Sequence, residues 1–208
     1  RAVHRIQSEA QTLEVIKAAR DNGFRSVNID LIYGLPKQSL VSFERTLERV
    51  VAAEPDRIAV YNYAHLPNIF KSQRRIQESE LPAPETRLKL LALAIRRLNA
   101  AGYQYIGMDH FAKPDDELAV AQRNRTLHRN FQGYTTKAGA DLYGMGVSAI
   151  SGIQNAYAQS HREIPQYTEA VERRGIATMR GYRLSEDDRL RRAVISRLLC
   201  HAVIRKDE

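Results

Sequence analysis

From Ser8 to Gly102 the chain alternates amphipathic stretches with short apolar runs, in the order helix, strand, helix, strand, helix. That alternation favours an α/β layer on a parallel sheet, because a helix between two strands lets the second run alongside the first. Ser8 and Gln11 have capping-box spacing, and Leu13, Ile16 and Ala19 then recur at near-helical intervals until Asn22-Gly23 stops the helix. A strand is expected over residues 26–33, followed by a helix with Phe43, Leu47, Val50 and Val51 on one face. Residues 57–63 read as a second buried strand. Leu88, Leu91, Ala92, Ile95 and Leu98 then form an apolar stripe in a helix entered through Pro82-Ala83-Pro84, which is expected to pack on the sheet.

Within this frame the run NIDLIYGLPKQ, residues 28–38, carries one carboxylate in an apolar strand that breaks at Gly34-Leu35-Pro36. With Val27, Ile29, Leu31 and Ile32 around it, the strand reads as buried on both faces, so Asp30 should face a cavity. A buried carboxylate needs a partner. A bound ligand, the cap of the next helix and an arginine are the three partners this pattern allows.

The middle of the chain loses the rhythm. Residues 103–111 are strand-like, 115–125 helical, and 127–152 rich in Gly, Thr and Ser, as expected of a segment that lines a site. GMGVSAIS, residues 144–151, places small residues where a ligand or another backbone can approach closely. Asp109-His110 holds an acid beside an imidazole, but neighbours on one strand point to opposite faces, which favours a structural role. Ser185 and Asp188 cap a further helix running through Leu190, Val194 and Leu198. A second domain is expected to begin near Leu184.

A chain of 208 residues with 43% hydrophobic content can bury a core. No apolar stretch approaches the roughly 20 residues of a membrane span, and no apolar signal segment is read at the N-terminus, so a cytosolic location without membrane contact is expected. The net charge of +8 is spread along helices among Glu and Asp, with no basic run interleaved with aromatics. That distribution argues against nucleic acid and suits a small polyanionic substrate equally well. The single cysteine, Cys200, sits in a largely apolar run, which fits a small core residue and excludes multi-thiolate zinc sites. His65, His128 and Asp141 lack a compact ligand spacing, so no chain-borne metal is expected. Neither a phosphate loop, a dinucleotide fingerprint nor a nucleophile elbow is present.

NIDLIYGLPKQ, YNYAHLP, YIGMDHFAKPDDELAVAQ, LHRNFQGYTT and GMGVSAIS, in this order and spacing, resemble the oxygen-independent coproporphyrinogen III oxidases (coproporphyrinogen III dehydrogenases) of the radical S-adenosylmethionine superfamily. The resemblance implies residues 1–183 as the later part of a partial TIM-like (β/α)6 barrel with parallel strands. Residues 184–208 would begin a mostly helical C-terminal domain. It implies S-adenosylmethionine and a 4Fe-4S cluster as cofactors, the cluster held by an upstream C-x-x-x-C-x-x-C motif that nothing here matches. Cys200 cannot replace three thiolates, so this stretch alone is expected not to turn over.

By the same resemblance, cleavage of S-adenosylmethionine yields a 5′-deoxyadenosyl radical that abstracts hydrogen from a propionate side chain. Loss of carbon dioxide and one electron then leaves a vinyl group, and two such steps convert coproporphyrinogen III to protoporphyrinogen IX. An electron donor and a monomer are implied. Arg5, Asp30, Ala64 and Ile150 match positions used for S-adenosylmethionine, with Asp30 meeting a positive charge and Arg5 a carboxylate. For the tetracarboxylate substrate, Arg129 is the candidate carboxylate partner and Tyr134 an aromatic wall. A heme chaperone of the same superfamily and a partner-binding adaptor without cluster chemistry are the rival readings. FQGYTT and the DELAVAQ helix favour the oxidase.

Overall fold

A computed structural model of the chain describes Val3 and residues 6 to 204. The elements run in chain order as α1 (Glu9–Asp21), β1 (Asn28–Tyr33), α2 (Leu40–Ala52), β2 (Arg57–Asn62), α3 (Pro84–Ala100), β3 (Gln104–Gly107), β4 (His110–Ala112), α4 (Glu117–Arg123), β5 (His128–Asn130), β6 (Gly133–Thr135), β7 (Ile150–Ile153), β8 (Ala156–Ser160), α5 (Ile164–Arg174), β9 (Thr178–Arg183) and α6 (Glu186–His201). The chain forms two compact units that divide between Val120 and Ala121. Leu184 falls between β9 and α6, inside the second of them.

In the first unit four strands form one sheet in the order β1-β2-β4-β3. β1 and β2 are parallel, with Asp30 level with Ala59. The remaining pairs are antiparallel, because residues 103–111 are not one strand: Met108, at φ 52°, turns β3 back into β4. The fold is mixed α/β: β1 and β2 pair in parallel as expected, and antiparallel pairing enters with the β3–β4 hairpin, where a single strand had been expected.

Burial on both faces of β1 is also corrected. Leu31 and Tyr33 point into a core with Phe43 and Leu47 of α2, Ile58 and Val60 of β2, and Phe111 of β4. Asn28, Asp30 and Ile32 alternate to the opposite face and are exposed. The period of two therefore separates a helix-covered face from an open one. α3 closes the core with Leu90, Leu93, Ala94 and Leu98, whereas Leu88 is 70% exposed, so the buried stripe is turned away from the expected one. Tyr103 is buried and donates its hydroxyl to the Pro55 carbonyl at 2.7 Å. Burial, with the charges of Asp56 and Glu54, pushes that hydroxyl up to about 12, which keeps it a donor.

In the second unit β5 and β6 make a hairpin, and β7, β8 and β9 an antiparallel sheet. α6 opens with the expected capping box at Ser185 and Asp188. Asp188 accepts the Ser185 hydroxyl at 2.7 Å, the Ser185 N–H at 2.9 Å and the Tyr182 hydroxyl at 2.9 Å. Those hydrogen bonds, Ser185's first, hold its carboxyl below the ordinary 3.8. A depressed carboxylate stabilises the fold above its unfolded value and loses that contribution as pH falls through the folded one. The first turn of α6 is thus expected to fray only below pH 3.8, read as faster amide exchange at Asp188 and Arg189, and Asp188→Asn should remove the step. No described helix is long and apolar enough to cross a membrane.

Candidate functional site

The open face of the first sheet is set by register. Asn28, Asp30 and Ile32 of β1 lie level with Arg57, Ala59 and Tyr61 of β2, and Ala59 is level with His110 of β4. Asp30 Oδ1 accepts the Asn28 side-chain N–H at 2.6 Å. Among the described residues its partner is the Asn28 amide, neither an arginine nor a helix cap. The carboxylate also lines an open cleft of about 540 Å³ beside Gln7, Ser8, Thr12 and Arg49. Arg5 lies outside the described residues.

Two βα connections shape the C-terminal ends of β1 and β2. After β1, the chain turns at Gly34 with φ +82°, and a side chain there would meet Arg87 Cδ at 3.2 Å and Asn62 Oδ1 at 3.3 Å, so the turn requires glycine. Gln38 closes it, taking the Gly34 N–H on Oε1 at 2.6 Å and giving Nε2 to the Ile32 carbonyl at 3.2 Å. After β2, Ala64 is exposed, and its carbonyl accepts Gln73 Nε2 at 3.1 Å. Gln73 Oε1 takes the Leu66 N–H at 2.5 Å, so one amide folds the YNYAHLP segment.

Asp109 and His110 are brought together, contrary to expectation. Asp109 lies in the turn before β4, not on a strand, and its Oδ1 sits 2.5 Å from His110 Nδ1. The imidazole stands edge-on to Tyr61 at 6.2 Å between ring centroids. Nothing local in the sequence marks Tyr61 as its neighbour, since the two meet only through the β2–β4 register.

The second unit holds the remaining candidates. Arg129 and Tyr134 are cross-strand partners in the β5–β6 hairpin, with the guanidinium carbon 5.7 Å from the ring centroid. Tyr134 donates its hydroxyl to the Leu199 carbonyl at 3.0 Å, which ties the hairpin to α6. Arg129 Nε is buried without a hydrogen-bond partner. Ile150 opens β7 half-buried, and Gly144 lies against its backbone.

These residues cannot hold an iron–sulfur cluster. Cys200 is 2% exposed and burial pushes its thiol up, the reverse of what a ligating thiolate needs. Among the described residues no three His, Cys, Asp or Glu side chains group to hold a metal. S-Adenosylmethionine is a different case. An exposed carboxylate with lone pairs to spare, on a polar sheet face, suits its ammonium and sulfonium charges.

No family model matches the chain. Over 201 residues, 97% of its length, the chain is 55% identical to the oxygen-independent coproporphyrinogen III oxidase of Escherichia coli strain K12. It is 52% identical to the enzyme of that name from Pseudomonas aeruginosa and 49% identical to that from Synechocystis. A solved structure of coproporphyrinogen III oxidase (HemN) from Escherichia coli, described as a radical SAM enzyme, superposes with a TM-score of 0.93 over 96% of this chain and 46% of that one. The chain spans 44% of the length of the Escherichia coli relative.

Proposed function

Because this chain is a relative of the oxygen-independent coproporphyrinogen III oxidases along the stretch it spans, we propose that it is part of such an enzyme. The reaction is the anaerobic oxidative decarboxylation of two propionates of coproporphyrinogen III, giving protoporphyrinogen IX for heme biosynthesis. The observation that carries this reading is 55% identity maintained over 97% of the chain together with the matching fold. Bound S-adenosylmethionine supplies the hydrogen-abstracting chemistry. The cluster that binds it would take its ligands from outside these residues, and its reduction would draw on a separate electron donor. The enzyme works as a cytoplasmic monomer, with residues 1–183 in its catalytic domain and 184–208 opening the next.

The chain's own residues bind and orient. Asp30 receives the positive end of S-adenosylmethionine on the oxygen edge that Asn28 leaves open, and Arg5 pairs with its carboxylate. Ala64 offers backbone groups past the end of β2, and Ile150 apolar packing. Arg129 takes a substrate propionate with Tyr134 behind it.

The protein carrying this sequence, reconstituted anaerobically with iron and sulfide, is given S-adenosylmethionine, a reductant for the cluster and coproporphyrinogen III. Protoporphyrinogen IX is the expected product, and Asp30→Ala should weaken S-adenosylmethionine binding roughly tenfold or more, the scale of one charged hydrogen bond. An intact cluster without product, or wild-type S-adenosylmethionine affinity in Asp30→Ala, would count against the reaction or the site respectively.

A further inference from the structure

The second unit contains a cleft of about 980 Å³ between the β5–β6 hairpin, residues 138–142 and α6. That is the upper end of the range of about 300–1,000 Å³ typical of small-molecule sites. Its lining is strongly basic, with Arg125, Arg129 and Arg197 facing it beside the imidazole of His201. Two carboxylates also line it, and both are engaged. Asp141 accepts the Gln154 N–H at 2.8 Å, and Asp188 is held by Ser185 and Tyr182 at the start of α6. The outer arginines of α6 have acids of their own, Arg191 with Asp187 at 2.7 Å and Arg189 with Glu186 at 3.4 Å. Among the described residues neither Arg125 nor Arg129 has an ion pair.

Two polar atoms in this cleft are buried without any hydrogen-bond partner, Arg129 Nε and His201 Nδ1. Leaving such atoms unsatisfied is costly, and the usual resolution is a partner that arrives from outside the chain. The guanidinium is also pre-oriented. Tyr134 backs it as a cross-strand neighbour, and the Tyr134 hydroxyl is anchored on the Leu199 carbonyl. A planar fork fixed in this way matches a carboxylate in geometry as well as charge.

We propose that this cleft is a binding site for a polycarboxylate, with Arg129 as the anchoring cation and Arg125, Arg197 and His201 beside it. A ligand with several acid groups suits this lining, because its arginines come from both the hairpin side and α6 around a space of about 980 Å³. The electrostatics agree. Burial lowers the His201 pKa, and the charges of Arg197 and Arg125 lower it further, which places both guanidinium groups near the imidazole. The inference extends the reading of Arg129 given above from one propionate contact to a whole site, and it depends on that reading only for the identity of the acid.

The test uses the 208-residue chain with three probes: coproporphyrin III, its tetramethyl ester, and mellitate, a benzene ring bearing carboxylates alone. Coproporphyrin III should bind and the ester should not. Arg129→Gln should weaken binding roughly tenfold or more, Arg129→Lys should recover part of it, and Arg173→Gln, exposed and paired with Glu169 outside the cleft, should leave it unchanged. Circular dichroism of Arg129→Gln confirms that the unit is folded. Equal binding of acid and ester, or wild-type affinity in folded Arg129→Gln, overturns the site. Mellitate bound with the same dependence on Arg129, while coproporphyrin III is not, keeps the polycarboxylate site and counts against the tetrapyrrole substrate.

Discussion

Asp116→Ala is expected to cost the first unit about 3 kcal/mol, the low end of the penalty for removing one member of a buried ion pair. Arg57, the first residue of β2, gives Nε to Asp116 at 2.8 Å and a terminal nitrogen to Glu117 at 2.9 Å. Only the first carboxylate is buried. The Asp116 side chain is 5% exposed against 61% for Glu117, while Arg57 itself is 23% exposed. Burial works against the charge on Arg57, yet the hydrogen bonds to the two acids more than offset it and hold its pKa above the ordinary value. Asp116 in addition accepts the Leu118 N–H at 2.8 Å and so closes the start of α4. Its loss strands a half-buried guanidinium and frees a helix amide together. Glu117→Ala, by contrast, removes a solvated partner and should cost less than about 1 kcal/mol. Urea denaturation monitored by circular dichroism separates the two variants. Equal costs would show that the burial of Asp116 does not set it apart from the exposed Glu117 as a partner of Arg57.

Gly144→Ala is expected to destabilise the second unit by about 2–3 kcal/mol, the scale of a forced backbone shift in a packed interior. An added Cβ would lie 2.8 Å from the Ile150 carbonyl oxygen, 2.9 Å from its carbon and 3.0 Å from the Ile150 nitrogen. All three are backbone atoms, so no rotamer change relieves the contact. The segment is also tied to β7 at Gly144 and two residues before it. The Gly144 N–H donates to Ser151 Oγ at 3.0 Å, and Leu142 and Gly152 exchange N–H···O bonds at 2.8 and 2.9 Å. Displacement of Ile150 should therefore appear as faster amide exchange at Leu142 and Gly152 along with a lower thermal midpoint. Protection unchanged at both amides would show that the loop accommodates a methyl group by some other route.

The local signals in the sequence carry through to the structure, and the long-range ones do not. Ser8 with Gln11 and Ser185 with Asp188 form their capping boxes because each motif closes within one helical turn. The buried face of α3 is not legible, since Leu88, Leu90, Leu91, Leu93 and Ile95 put apolar side chains on several sides and only packing against Phe43 and Val60 chooses among them. The reversal at Met108 carries no turn motif of its own, and it alone decides that β4 runs against β2. The pattern around Asp30 marks a residue wanting a partner, but its exposure comes from β1 burying only the face that carries Leu31 and Tyr33, which no property of residues 28–33 reveals. In the second unit Arg129 and Tyr134 are within reach of a sequence reading because a hairpin joins them. Arg197 and His201 are not, because α6 meets the hairpin only in the folded unit.

The turn after β1 has a bearing on ligand choice. A strand-to-helix turn with a glycine at its corner ordinarily offers its free amides to an anion. Here Gln38 has already filled that role, with the Gly34 N–H on its own Oε1 and the Leu35 N–H at 3.4 Å from the same atom. The side chain acts as a built-in surrogate for an acidic guest. A phosphate or carboxylate arriving at the mouth of β1 would have to evict an intramolecular acceptor before gaining a single backbone donor, whereas a cation meets at Asp30 a charged carboxylate held only by the neutral Asn28 amide among the described residues. Selection between ligands of opposite sign at this strand is thus written into an uncharged glutamine, and substituting it would widen the range of guests without touching any ionisable group.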